Sequence, residues 1–214
     1  MNQDNEQDRD RITNLDLLRG VAALAVCLFH FDYDGALGVP SVSHALSYGY
    51  LGVQMFFVIS GFIIPYSMLR SGYRIKNIKG FLIGRLVRLY PAYIIASVAA
   101  LSMWYGAALT TNNEGEWPSF SLIQVISNIF LICDFTNTDW LITIAWTLAI
   151  EAQFYLLIAL FFPLVFSSNN WIRRLAMALW IMAPIMAGKG PTVLTWTALF
   201  SLGMIVCQWK SKMI

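Results

Sequence analysis

Long runs without a charged side chain constrain this sequence more than any other feature. Residues 35–69, 89–113, 117–133, 152–172, 175–188 and 190–209 contain no Asp, Glu, Lys or Arg. The hydrocarbon core of a bilayer is about 30 Å thick, and about 20 apolar residues in helical form cross it. A helix suits that setting because it satisfies its own backbone N–H and C=O groups without water. Charged residues make up only 12% of the 214-residue chain and hydrophobic residues 58%, whereas soluble domains carry roughly a quarter charged residues. The expected fold class is therefore all-α, a polytopic transmembrane helical bundle.

The runs predict helices over 15–33, 50–69, 91–108, 140–166, 175–188 and 191–209. Pro91 suits the first turn of the third helix, where a missing N–H costs little. Gly188-Lys189-Gly190-Pro191 reads as a tight turn. Residues 1–14 read as a polar cytoplasmic tail, disordered over 1–10, and 15–214 as one transmembrane domain. The first apolar stretch contains Arg19 and has no convincing small-residue cleavage site, so it is read as a retained helix.

Lys/Arg bias sets the orientation, because cytoplasmic loops carry the excess. If 117–135 does not cross, then of the 14 Lys and Arg only Lys189 lies outside. If it does cross, Arg173, Arg174, Lys210 and Lys212 move outside. The first arrangement is cleaner. It gives six spans, both termini cytoplasmic, and a re-entrant or interfacial segment near 117–135. The net charge of +2 is too small to imply a nucleic-acid partner. Cys27, Cys133 and Cys207 all lie in apolar runs and read as small hydrophobic packers.

Arg19 and His30 stand eleven positions apart in the first stretch. On a helix that spacing returns almost to the same angle and covers roughly 16 Å. Burying an ionisable group in a membrane is costly, so such residues mark function by default. His30 is a candidate general base, since imidazole titrates near neutrality. Arg19 suits an anionic group entering from the cytoplasm, or pairing with Asp16 one turn earlier. Arg85 and Arg88, three apart, present two guanidinium groups to a polyphosphate donor or to anionic lipid heads. Glu151 is the lone carboxylate between Trp140 and Trp171. It falls in the outer half of its helix, at a depth matching His30, and is a candidate partner for it. Trp146, Gln153, Tyr155 and Ser60 are possible cavity-lining residues. For Ser60-Gly61, a close helix-packing point is favoured over a nucleophile. His30, Asp32, Asp34 and His44 have only generic spacing, and no metal is predicted.

Four blocks occur in order: Leu15-Asp16-Leu17-Leu18-Arg19-Gly20 followed by His30; Gly52-Val53-Gln54-Met55-Phe56-Phe57-Val58-Ile59-Ser60-Gly61-Phe62; Arg85-x-x-Arg88 before Leu89-Tyr90-Pro91; and Trp146-Thr147-Leu148-Ala149-Ile150-Glu151-Ala152-Gln153-Phe154-Tyr155. Together they resemble the acyltransferase-3 family of bacterial inner-membrane proteins, which O-acylate cell-surface or exported glycans. The resemblance implies an enzyme that takes an acyl group, commonly acetyl, from cytoplasmic acyl-CoA and delivers it to a sugar hydroxyl on the far side. No permanently bound cofactor is implied. Arg19 and His30 would be the essential pair, Arg85 and Arg88 the donor-side motif, with Arg19 also on the donor, and Glu151 part of the reaction centre. The partners implied are membrane lipid, acyl-CoA and a glycan acceptor, with the oligomeric state left open. The fourth block departs from the family, which more often has Ser at Thr147 and two adjacent acidic residues near Glu151. The family usually has about ten helices, so the resemblance implies a domain incomplete at its C-terminus. A transporter or flippase using the Arg–His–Glu stripe as a pathway, and an inactive remnant, are the alternative readings.

Overall fold

The computed structural model describes residues 3–32, 38–110, 119–187 and 192–213. Helix follows helix throughout them: α1 (Gln3–Phe31), α2 (Pro40–Ser47), α3 (Leu51–Arg70), α4 (Ile78–Thr110), α5 (Leu122–Phe130), α6 (Cys133–Thr136), α7 (Trp146–Val165), α8 (Asn170–Ala187) and α9 (Val193–Lys210). No strand occurs among the described residues. Among the described residues, four stretches are long and apolar enough to cross a bilayer: Asn14–Phe31, Pro40–Arg70, Ile75–Leu109 and Thr143–Val165. The turn expected at 188–191 lies outside the described residues, as does Asp34.

Several boundaries differ from the sequence expectations, each for a physical reason. The first helix begins at Gln3, inside the stretch expected to be disordered. Extending an existing helix adds one hydrogen bond per residue fixed, whereas nucleation is the costly step. The third predicted helix begins at Ile78, so Pro91 is interior rather than in the first turn. Pro91 removes one backbone bond, to Val87, and membrane helices tolerate that loss. The fourth predicted helix begins at Trp146, after a 3₁₀ turn at Thr143–Ala145. Residues 139–141 are held out of it: Asn128 Nδ2 donates to the Asp139 carbonyl at 3.0 Å, and the Leu141 N–H donates to Asn128 Oδ1 at 2.8 Å. The helix expected over 175–188 starts earlier, at Asn170. The Asn169 side chain accepts from the Trp171 N–H at 2.9 Å and caps it.

Within 117–135 the chain makes α5, of 9 residues, and α6, of 4. At 1.5 Å per residue neither reaches across a hydrocarbon core. Leu131 (φ 56°) and Asn137 (φ 51°) end the two helices in the left-handed region. That conformation terminates a helix and turns the chain.

The chain forms two compact units, residues 1–71 with 197–214, and residues 72–196. In the first, Phe57, Met68, Phe200, Met204 and Cys207 are buried, with the Phe57 and Phe200 rings 5.0 Å apart. Glycines set the helix spacing. A Cβ on Gly61 would be driven into the Phe200 carbonyl, and one on Gly203 into the Val58 carbonyl, so α3 and α9 touch backbone to backbone. Gly49 and Gly52 likewise admit the Ala25 and Ala22 carbonyls of α1. Ser60-Gly61 is thus the close packing point the sequence suggests.

In the second unit α7 is central: Ile150, Phe154, Ile158 and Ala159 are fully buried. α4 runs antiparallel to it. The Tyr73 hydroxyl donates to the Ala159 carbonyl at 2.9 Å, and the Phe154 and Trp180 rings meet edge to face at 6.0 Å. Burial raises the Tyr73 hydroxyl above the ordinary tyrosine range. The outer face of α4 exposes Ile83, Val87, Ile94, Ile95 and Val98, the apolar stripe expected of a lipid-facing helix.

Candidate functional site

The polar residues of the second unit converge on α7. Glu151 and Tyr155 lie four apart on one helix face, and the Tyr155 hydroxyl donates to Glu151 Oε1 at 2.5 Å. The Arg85 guanidinium carbon stands 5.9 Å from the Tyr155 ring centroid and 5.4 Å from that of Phe81. These are cation–π distances. Antiparallel packing carries Arg85, seven residues into α4, to the middle of α7. The result is a line from Arg85 through Tyr155 to the half-buried Glu151. Arg88 lies one turn further along α4 and is exposed.

Trp146 and Gln153 play more structural parts. The Trp146 and Trp196 rings stand 5.7 Å apart, and Gln153 Oε1 accepts the Val193 N–H at 2.9 Å. Gln153 thereby satisfies one of the orphan donors at the start of α9. Its Nε2 is buried without a hydrogen-bond partner among the described residues.

Arg19 and His30 belong to the first unit. α1 is helical over both, which keeps the two on nearly one face, about 16 Å apart. Arg19 is half-buried and His30 exposed, its ring edge-on to Phe29 with centroids 5.2 Å apart. The same side of α1 carries the fully buried Ala22. The first unit also holds a cavity of about 870 Å³, lined in part by Leu18, Ile59 and Phe62. Ser60 is buried and does not line it.

Two features escaped the sequence reading. Tyr155 enters there only as a possible lining residue, yet it is what links Arg85 to Glu151; its i, i+4 spacing from Glu151 was the available signal. Asn128 is the other. Besides its bonds to Asp139 and Leu141, Nδ2 donates to the Gln124 carbonyl at 2.9 Å, and the Tyr93 hydroxyl donates to the Asn128 carbonyl at 3.0 Å. A buried Asn in an apolar segment must find partners, and these fix the 137–142 loop. Beside it lies a polar pocket of about 550 Å³ lined by Asp134, Asn137, Asp139 and Trp140 among others. The Trp140 indole N–H donates to Asp134 Oδ1 at 3.2 Å. Burial pushes the neighbouring Cys133 thiol above its ordinary range.

The acyltransferase-3 family model, an acyltransferase domain, matches residues 12–212. The chain is 28% identical over 186 residues to peptidoglycan O-acetyltransferase OatA of Listeria monocytogenes, covering 81% of this chain and 27% of that protein. It is 32% identical over 165 residues to O-acetyltransferase OatA of Staphylococcus aureus, covering 72% of this chain and 24% of that protein. The chain thus spans about a quarter of the length of these relatives. No solved structure matches it.

Proposed function

Because the chain belongs to the acyltransferase-3 family, we propose that it moves an acetyl group from cytoplasmic acyl-CoA to a sugar hydroxyl of a cell-surface or exported glycan, with peptidoglycan as the leading acceptor. It works in the bacterial inner membrane as a six-span protein with both termini cytoplasmic and 117–135 on the outer side. The observation that carries the reading is the family match over 12–212, which takes in Arg19, His30, Arg85, Arg88 and Glu151 together.

In this mechanism Arg85, Arg88 and Arg19 hold the phosphates of the donor. The pantetheine arm extends along the Arg19–His30 stripe and presents the thioester near His30. His30 accepts the proton of the sugar hydroxyl as its oxygen attacks the thioester carbonyl. Collapse of the tetrahedral intermediate breaks the C–S bond, and the protonated imidazole returns its proton to the departing thiolate. The family resemblance makes Glu151 part of the reaction centre, and Tyr155 is a positioning residue that holds the Glu151 carboxylate. The polar pocket around Trp140 faces the acceptor side in this topology and offers an aromatic surface with hydrogen-bonding groups to a sugar.

Membranes containing the chain, supplied with acetyl-labelled acetyl-CoA, test this. Label enters glycan, and His30→Ala lowers the rate by about 10²–10⁴-fold, the range for loss of a general base. Movement of an unmodified substrate across the membrane without incorporation would establish the transporter reading instead.

A further inference from the structure

We infer that the cavity of the first unit is a binding site for an anionic phospholipid. It is a partly open cavity of about 870 Å³ framed by α1, α3 and the C-terminal part of α9, within the size range of small-molecule sites. Its two ends differ in chemistry. At one end Arg70, the last residue of α3, and Lys210, the last of α9, both approach the Tyr66 ring. Lys210 Nζ stands 4.3 Å from the ring centroid and the Arg70 guanidinium carbon 5.9 Å. Asn14, Ser67 and Ser71 also line it, and the rest is mostly apolar, with Leu18, Ile59 and Val206 among the side chains.

A cation in the last turn of a helix is favoured by the helix dipole alone. That accounts for each charge separately. It does not account for two cations from different helices converging on one aromatic ring at the mouth of an apolar cavity. Basic pockets between membrane helices recognise anionic lipid heads, and the shared ring holds these two in place as a small cationic clamp.

The length matches as well. From Arg70 to Ile59 is eleven residues of α3, or roughly 16 Å. Half of a bilayer's hydrocarbon thickness is about 15 Å. The cavity therefore fits a ligand with one anionic head and tails that reach the midplane, which is one phospholipid of one leaflet. This inference does not depend on acyl transfer or on which leaflet faces the cytoplasm.

The test uses the purified chain in detergent, titrated with phosphatidylglycerol or with phosphatidylcholine of the same tails, and read by native mass spectrometry and thermal midpoint. Phosphatidylglycerol adducts persist and raise the midpoint, and phosphatidylcholine does neither. The Arg70→Gln/Lys210→Gln double variant loses at least tenfold in phosphatidylglycerol affinity with its helix content unchanged. Val206→Trp fills the apolar end, keeps both cations, and also releases the lipid. Equal binding of the two lipids overturns the proposal, as does full phosphatidylglycerol affinity in both variants. Competition by glycerol phosphate alone would make this a free-anion site, and displacement of phosphatidylglycerol by stoichiometric acetyl-CoA would make it a donor site; either result also overturns it.

Discussion

Replacing Tyr155 by Phe removes one hydroxyl and keeps the ring that faces Arg85. The lost contact is the 2.5 Å hydrogen bond to Glu151. Tyr155 is 7% exposed, so water does not readily substitute for the missing donor. A hydrogen bond to a charged group contributes about 1.5–3 kcal/mol, and each 1.36 kcal/mol is a factor of ten in rate. Tyr155→Phe should therefore lower kcat for acetyl transfer by about 10- to 150-fold. The KM for acetyl-CoA should change little, because the cation–π contact of the ring with Arg85 is retained. The assay is the initial rate of label transfer from acetyl-CoA to glycan in membranes, measured for wild type, Tyr155→Phe, Glu151→Gln and the double variant. If Tyr155 acts only through Glu151, the double variant is no slower than Glu151→Gln alone. A Tyr155→Phe rate within twofold of wild type, or two effects that simply multiply, would refute the positioning role.

Asn128→Ala removes three side-chain hydrogen bonds and strands the Leu141 N–H; the loop over 137–142 should open by about 2–4 kcal/mol, seen as faster amide exchange there with exchange in α7 unchanged. Gly203→Leu forces a side chain into the Val58 carbonyl and should cost at least about 1–3 kcal/mol, read as a lower thermal midpoint in detergent. The raised pKa of Cys133 leaves less thiolate at neutral pH. In a Cys27→Ala/Cys207→Ala background, maleimide should therefore label it more slowly than a cysteine placed at the exposed Thr143, and the gap should narrow as pH rises.

The presence of the helices was legible and their beginnings were not. Uncharged runs mark where hydrocarbon lies, so a reading based on them stops at the first charges. The uncharged run thus predicts 91–108 where the helix starts at Ile78: Lys79, Arg85 and Arg88 end the apolar run but are good helix formers, and the helix continues through them. Residues 140–145 fail in the opposite sense. They are as apolar as the helix that follows, yet the Asn128 side chain, thirteen residues before Leu141, holds the backbone at 139–141 in another conformation. The candidate site shows the same division. Arg19 with His30, and Glu151 with Tyr155, follow from helical spacing within one element. The approach of Arg85 to Tyr155 depends on how α4 packs on α7, which no local spacing encodes.

In the proposed reaction the acyl group enters on one side of the membrane and leaves on a sugar on the other, through His30. Sealed proteoliposomes sorted for one orientation of the chain test it most directly, with labelled acetyl-CoA confined to the face carrying Arg85 and Arg88 and a glycan acceptor confined to the opposite face. Label should reach the acceptor in wild type, not in His30→Ala, and not when donor and acceptor exchange sides. Transfer that is equally fast with both substrates on one face, or that survives in His30→Ala, would contradict it.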